Sequence, residues 1–141
     1  MRDAEALAVA ERRGALRATG NWTLGQAVGH LAFSARAPFE GYPELPQLSS
    51  PLRLLLPWFK KGFLNQELPA GFRIRNLPEG AFGAAPMPTD DALAQLRSVL
   101  DRLARESPAR PHPIFGALTH EEWIKYNLRH AELHLSFFHP Q

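Results

Sequence analysis

Two histidines, His130 and His134, stand four residues apart in the run Asn127-Leu-Arg-His-Ala-Glu-Leu-His-Leu-Ser-Phe-Phe138, and a third, His30, lies in a separate helix-patterned segment. In an α-helix, positions i and i+4 stack on one face, so two imidazoles can turn toward a common point. A third imidazole from a neighbouring helix would close one face of a coordination sphere and leave the other open to water or substrate, as a catalytic metal requires. The chain has no cysteine, which removes disulfides, thiolate ligands and cysteine nucleophiles together. Any metal here must be held by nitrogen and oxygen.

The elements that would carry these residues can be read from hydrophobic spacing. Residues 3–18 are alanine-rich, with Leu7, Ala10 and Leu16 on one side, and they stop at Thr19-Gly20; the segment is short for a core helix. A second helix starts at Asn21-Trp22-Thr23, where Thr23 and Gln26 have capping-box spacing, and runs to about Ala37 before Pro38. Its apolar spine is Leu24, Val28, Leu31 and Ala35. Between Pro38 and Pro88 lie nine of the thirteen prolines. Ser50-Pro51 suits a helix start, Pro57 should bend that helix on its way to Leu64, and residues 66–89 read as a long connection packing through Phe72, Ile74 and Phe82. A third clear helix starts after Thr89-Asp90, with Leu93, Leu96, Leu100 and Leu103, and ends near Ser107-Pro108. Thr119 and Glu122 form a second capping box, from which the last helix runs from His120 to Phe138. The pattern is all-α: a four-helix bundle with a long Pro/Gly-rich crossover between the second and third helices. Residues 1–141 form one domain, since 141 residues at 45% hydrophobic suit a single core.

Helical phase, advancing about 100° per residue, tests which way the histidines face. Ile124, Leu128, Ala131, Leu135 and Phe138 form an apolar stripe expected to meet the core. Glu121, Glu122, Lys125, Arg129, Glu132 and Ser136 make a charged arc on one side; Trp123, Asn127, His130, His134 and Phe137 make an uncharged arc on the other. On the second helix His30 is displaced from its spine in the same sense, flanked by Ala27, Ser34 and Ala37 with Gly29 nearby. Imidazoles on an uncharged face need partners, because burying a polar nitrogen without a hydrogen bond costs roughly 1–3 kcal/mol. A shared metal satisfies three at once. The competing account has Asn127, Ser34 and backbone carbonyls satisfy the rings with no ion present.

Other candidates are weaker. His130-Ala-Glu-Leu-His134 is not the His-Glu-x-x-His arrangement of zinc proteases, and Glu132 points into the charged arc. His120 and His112 read as surface or loop-anchoring residues, and His139 belongs to the tail. A formal net charge of +2 and scattered basic residues give no field that would recruit nucleic acid. No signal-peptide pattern and no apolar run of roughly 20 residues is visible, which argues against a membrane protein and for the cytoplasm. A homodimer is one way for a small bundle to cover an apolar helix face.

The segments Asn21-Trp-Thr-Leu-Gly-Gln-Ala-Val-Gly-His30-Leu, His112-Pro-Ile-Phe-Gly-Ala-Leu-Thr-His-Glu-Glu-Trp123 and His130-Ala-Glu-Leu-His134-Leu-Ser-Phe-Phe resemble the DUF1569 family within the DinB-like superfamily. The resemblance covers both ends and most of the chain. It implies a DinB-like four-helix bundle with a three-histidine metal site, onto which His30, His130 and His134 map one by one. Relatives in that superfamily include thiol-dependent S-transferases, a maleylpyruvate isomerase and proteins assigned as metal-dependent hydrolases. The expectation is therefore an enzyme whose divalent ion, Zn, Ni or Fe, activates a thiol or water against a small-molecule substrate, with a low-molecular-weight thiol as co-substrate. Asn127 and Ser34 would orient water or substrate, and Trp22 and Trp123 would line the pocket. The alternative from another class is a non-catalytic helical bundle that binds a small molecule or a partner with its buried histidines metal-free.

Overall fold

The structure, a computed structural model, describes residues 1–42, 60–65 and 84–141. Five helical segments and two short strands make up the described chain: α1 (Arg2–Arg12), β1 (Leu16–Ala18), α2 (Leu24–Glu40), α3 (residues 60–65), α4 (Thr89–Arg105), α5 (His120–Leu135) and β2 (Phe138–Pro140). The fold is mostly helical with a small sheet, which corrects the all-α expectation at both ends of the chain. The expected first helix over 3–18 stops at Arg12, and Gly14, with φ of 66°, turns the chain into β1. The last helix stops at Leu135, short of Phe138. The freed segments pair antiparallel, with Leu16 opposite Pro140, Arg17 opposite His139 and Ala18 opposite Phe138. The expected Pro-bent helix before residue 60 and the connection packing through Phe72, Ile74 and Phe82 lie outside the described residues.

Both expected capping boxes form. Thr23 Oγ1 accepts from the Gln26 N–H while Gln26 Oε1 accepts from the Thr23 N–H, and Thr119 and Glu122 do the same for α5. Each box satisfies two of the amide donors that a helix start leaves open. α2 runs through Pro38 to Glu40, three residues past its expected stop. Pro38 falls in the last turn, where it removes one intrahelical bond, and Gly41, at φ of 128°, closes the helix by donating to the Ala37 carbonyl.

α2 is the central element. Its small buried residues Ala27, Ala32 and Ala35, with Val28 and Leu31, pack along α4 (Ala92, Leu96, Val99) and against Ala4, Leu7 and Ala8 of α1. The approach is closest at Gly25, where a Cβ would stand 2.2 Å from the Met87 carbonyl oxygen. Ion pairs from Arg12 to Asp90 and from Arg97 to Glu5 tie α1 to α4 at the surface. A second cluster holds Leu64, Leu103, Trp123 and Tyr126, joining α3, α4 and α5.

α5 is rotated relative to the sequence expectation. Its buried residues are Trp123, Tyr126 and Leu133, whereas Ile124 and Leu128 of the proposed core stripe are 40% and 59% exposed. The end of the stripe does meet the core, with Phe138 buried in it and Ala131 and Leu135 packed against it, but the Ile124–Leu128 edge lines a groove of about 210 Å³ whose other walls come from Met1, Leu96, Leu100 and Leu103. Over its first half the apolar face of α5 is thus the less buried one, and the side that carries Trp123, Tyr126 and the histidines turns inward. Indole, phenol and imidazole rings take the inward side of α5 through their flat apolar surfaces. The Tyr126 hydroxyl meets Ser34 and His130 Nε2 meets His30 across the helix pair, while His130 Nδ1 is buried with no hydrogen-bond partner among the described residues.

Candidate metal centre

α2 and α5 run antiparallel where they meet, so that His30, near the start of α2, faces His130 and His134, near the end of α5. The three rings present Nε2 inward. His30 Nε2 lies 3.2 Å and His134 Nε2 3.0 Å from His130 Nε2, and one ligand nitrogen from each ring lies within 4.8 Å of the others. Ring centroids are 4.6–5.0 Å apart and the planes are steeply inclined to one another. Trp22, on the chain entering α2, stacks on His134 at 5.4 Å and 9° and tilts over His30 at 5.2 Å. The indole therefore caps one side of the cluster.

Burial and the neighbouring rings keep His130 and His134 neutral. Burial, reinforced by the proximity of His134, His30 and His112, holds His130 well below the usual imidazole range. Burial and His30 lower His134 to about 3. Neutral imidazole is the form that ligates metal. Converging lone pairs repel unless a proton or a cation lies between them, and each neutral ring carries only one N–H to share. The donor set suits a cation. Two nitrogens each about 2.1 Å from an ion, at angles between a right angle and tetrahedral, stand about 3.0–3.4 Å apart, the spacing seen at His130.

The remaining sequence candidates separate. Ser34, one turn beyond His30, is 3.0 Å from the Tyr126 hydroxyl, with either oxygen able to donate. Asn127 donates its amide to the Trp123 carbonyl one turn earlier and lines the apolar groove, so its side chain is engaged by its own helix. Trp123 is 1% exposed and packs on His112 and Tyr126, a layer removed from the histidines. His120, the first residue of α5, is 2.6 Å from the Leu103 carbonyl in the last turn of α4, so it ties helix to helix where the sequence reading had it at the surface or anchoring a loop.

Two residues next to the centre carry more than the sequence reading gave them. Tyr126 precedes His130 by four residues, continuing the 126–130–134 ladder, a spacing present in the sequence but not weighed there. Its ring lies 5.4 Å from that of His130, and burial raises its hydroxyl to about 12, partly offset by the bond to Ser34. His112, at 6% exposure, is fully enclosed: its Nδ1 accepts from the Ile114 and Phe115 amides at 3.1 Å, closing a turn that ends at Gly116. Burial lowers it to about 4. This is the loop anchor foreseen from sequence, placed in the core.

A helical chain that brings three imidazoles from two helices to one point defines a protein with a candidate three-histidine centre. The family model described as "Protein of unknown function (DUF1569)" matches residues 2–141, so the chain belongs to the DUF1569 family. Neither the curated proteins nor the solved structures compared with the chain include a match. No helix among the described residues is long and apolar enough to cross a membrane.

Proposed function

We propose that this chain is a metal-dependent enzyme with a DinB-like four-helix-bundle architecture, in which His30, His130 and His134 hold a divalent ion such as Zn, Ni or Fe. The observation that carries the reading is the convergence of three Nε2 atoms at 3.0 and 3.2 Å about His130. When bound, the ion supplies the Lewis acidity that makes a thiol or a water a nucleophile near neutral pH. Transfer of a low-molecular-weight thiol to a small electrophile is the preferred chemistry, with hydrolysis second. The chain's own residues present three neutral donors, cap one side of the cluster with Trp22, and keep carboxylates out of the ligand set. The reaction is placed in the cytoplasm, on a small molecule and not on nucleic acid.

A second reading has one observation in its favour: 3.0 and 3.2 Å are also hydrogen-bond distances between imidazoles. On that reading the cluster is a proton-sharing core of a binding protein. Elemental analysis of protein purified without a polyhistidine tag separates the two. The metal reading expects close to one equivalent of a transition ion, or its uptake on adding Zn or Ni, and loss of that uptake in His130→Ala. Less than about a tenth of an equivalent with no uptake would leave the binding protein as the reading, since a site of this kind gains its affinity from preformed ligands.

A further inference from the structure

We infer that the Ser34–Tyr126 hydrogen bond is the positioning element of the histidine centre, setting the spacing and rotation of α5 against α2 at which the three ring nitrogens converge. This rests on the metal reading for one of its measurements and stands without it for another.

Two polar contacts across this helix pair are successive rungs of one ladder. His30 and Ser34 are four apart on α2; Tyr126 and His130 are four apart on α5. The antiparallel run pairs His30 with His130 at 3.2 Å and Ser34 with Tyr126 at 3.0 Å, one helical turn away. A rung set so close to the centre has leverage over it. A ring nitrogen lies about 6 Å from its helix axis, so rotating α5 by roughly 10° moves it about 1 Å. Metal–ligand distances tolerate only about 0.2 Å.

Packing holds that rotation from one side only. Along its Ile124–Leu128 edge α5 faces the open groove, and both side chains are exposed. The Tyr126 ring, by contrast, is held on several sides: by Phe63 at 5.5 Å, His112 at 4.7 Å, Trp123 at 5.8 Å and Phe115 at 6.2 Å. Its hydroxyl is delivered to one point. Ser34 meets it with a side chain of a single rotatable carbon, so the bond couples the two backbones with little slack. A phenol caged in this way and bonded to the opposite helix is a stiff strut; a longer or freer pair would not transmit position.

The test uses Tyr126→Phe, which keeps the ring and removes the hydroxyl, with Ser34→Ala and the double variant. In Co(II)-loaded protein the expected results are a 10- to 100-fold loss of metal affinity in each single variant, as for other groups that orient metal ligands, and a shifted visible ligand-field spectrum. The double variant should lose no more than the worse single, because both remove one shared bond. Ser34→Thr, which keeps the hydroxyl, should restore affinity and spectrum. A lower thermal midpoint with wild-type affinity and spectrum, or additive losses, overturns the inference. If the wild-type protein takes up no metal, the metal reading fails separately, and imidazole ¹⁵N shifts of the metal-free protein decide. Altered His30, His130 and His134 shifts in Tyr126→Phe support the strut; unchanged shifts overturn it.

Discussion

At the scale of single residues, His112 shows how burial and function diverge among the six histidines. Its Nδ1 accepts two backbone amides, which fixes the neutral tautomer with the proton on Nε2. Its pKa falls from 6.5 unfolded to about 4 folded. Between those values the unfolded chain binds the proton and the folded chain does not, so stability rises with pH. The contribution is full above pH 6.5, declines on acidification, and is lost by about pH 4. Over the span from pH 7.5 to 5 it amounts to about 2 kcal/mol. His130 and His134, also lowered, act in the same direction in metal-free protein. His112→Asn offers an amide oxygen to the same two N–H groups but does not titrate. Urea unfolding of the metal-free protein should show the variant losing about 2 kcal/mol less than wild type between pH 7.5 and 5. Parallel losses would show that His112 is not held neutral by its site. Residue chemistry was the most legible level: spacing singled out His130 and His134, helical phase gave His30 a similar setting, and the family resemblance joined the three. Tyr126 escaped because a residue's polar partner across a helix pair depends on helix rotation, which spacing does not set.

At the scale of elements, helix existence and starts were written in local chemistry. Thr23 with Gln26 and Thr119 with Glu122 are short-range signals, and both boxes form as their spacing required. Facing was less legible. The moment of α5 pointed its Ile124–Leu128 stripe inward, whereas aromatic and imidazole rings hold that place. Two substitutions measure the difference. Leu128→Lys, at a residue 59% exposed, should change unfolding free energy by no more than about 0.5 kcal/mol, where a true core position would lose several. Gly25→Ala adds a single methyl in a helix, a change that usually stabilises, yet its Cβ would meet the Met87 carbonyl oxygen at 2.2 Å. Separating α2 from the chain entering α4 should cost about 1–3 kcal/mol, as overpacking does. A destabilised Leu128→Lys together with a neutral Gly25→Ala would mean that α5 turns its apolar stripe inward and that α2 stands clear of Met87.

At the scale of the whole molecule, the two-stranded ribbon supplies what helix packing lacks. α5 meets α2 over a short stretch and leaves a groove beyond it, so its far end needs a second attachment. β1 leads into the Trp22–Thr23 start of α2, and β2 begins only four residues after His134. Pairing them joins the beginning of one histidine-bearing helix to the end of the other, at the level of the cluster. The join is made by the ladder, by the Thr19 amide donating to the Phe137 carbonyl at 2.9 Å, and by Phe138 buried against the α1–α2–α4 core. Neither strand carries a strong strand pattern; each has three residues, and their pairing spans nearly the entire chain, which local reading cannot supply. Removing residues 138–141 should therefore leave helix content by circular dichroism nearly unchanged while freeing the end of α5. His134, one residue before that end, should suffer before His130. The expected result is metal uptake weakened about 10-fold or more, with the His134 imidazole resonance broadened and that of His130 much less affected. Equal loss at both rings, with helix content falling, would instead make the ribbon a general stability element with no specific hold on the centre.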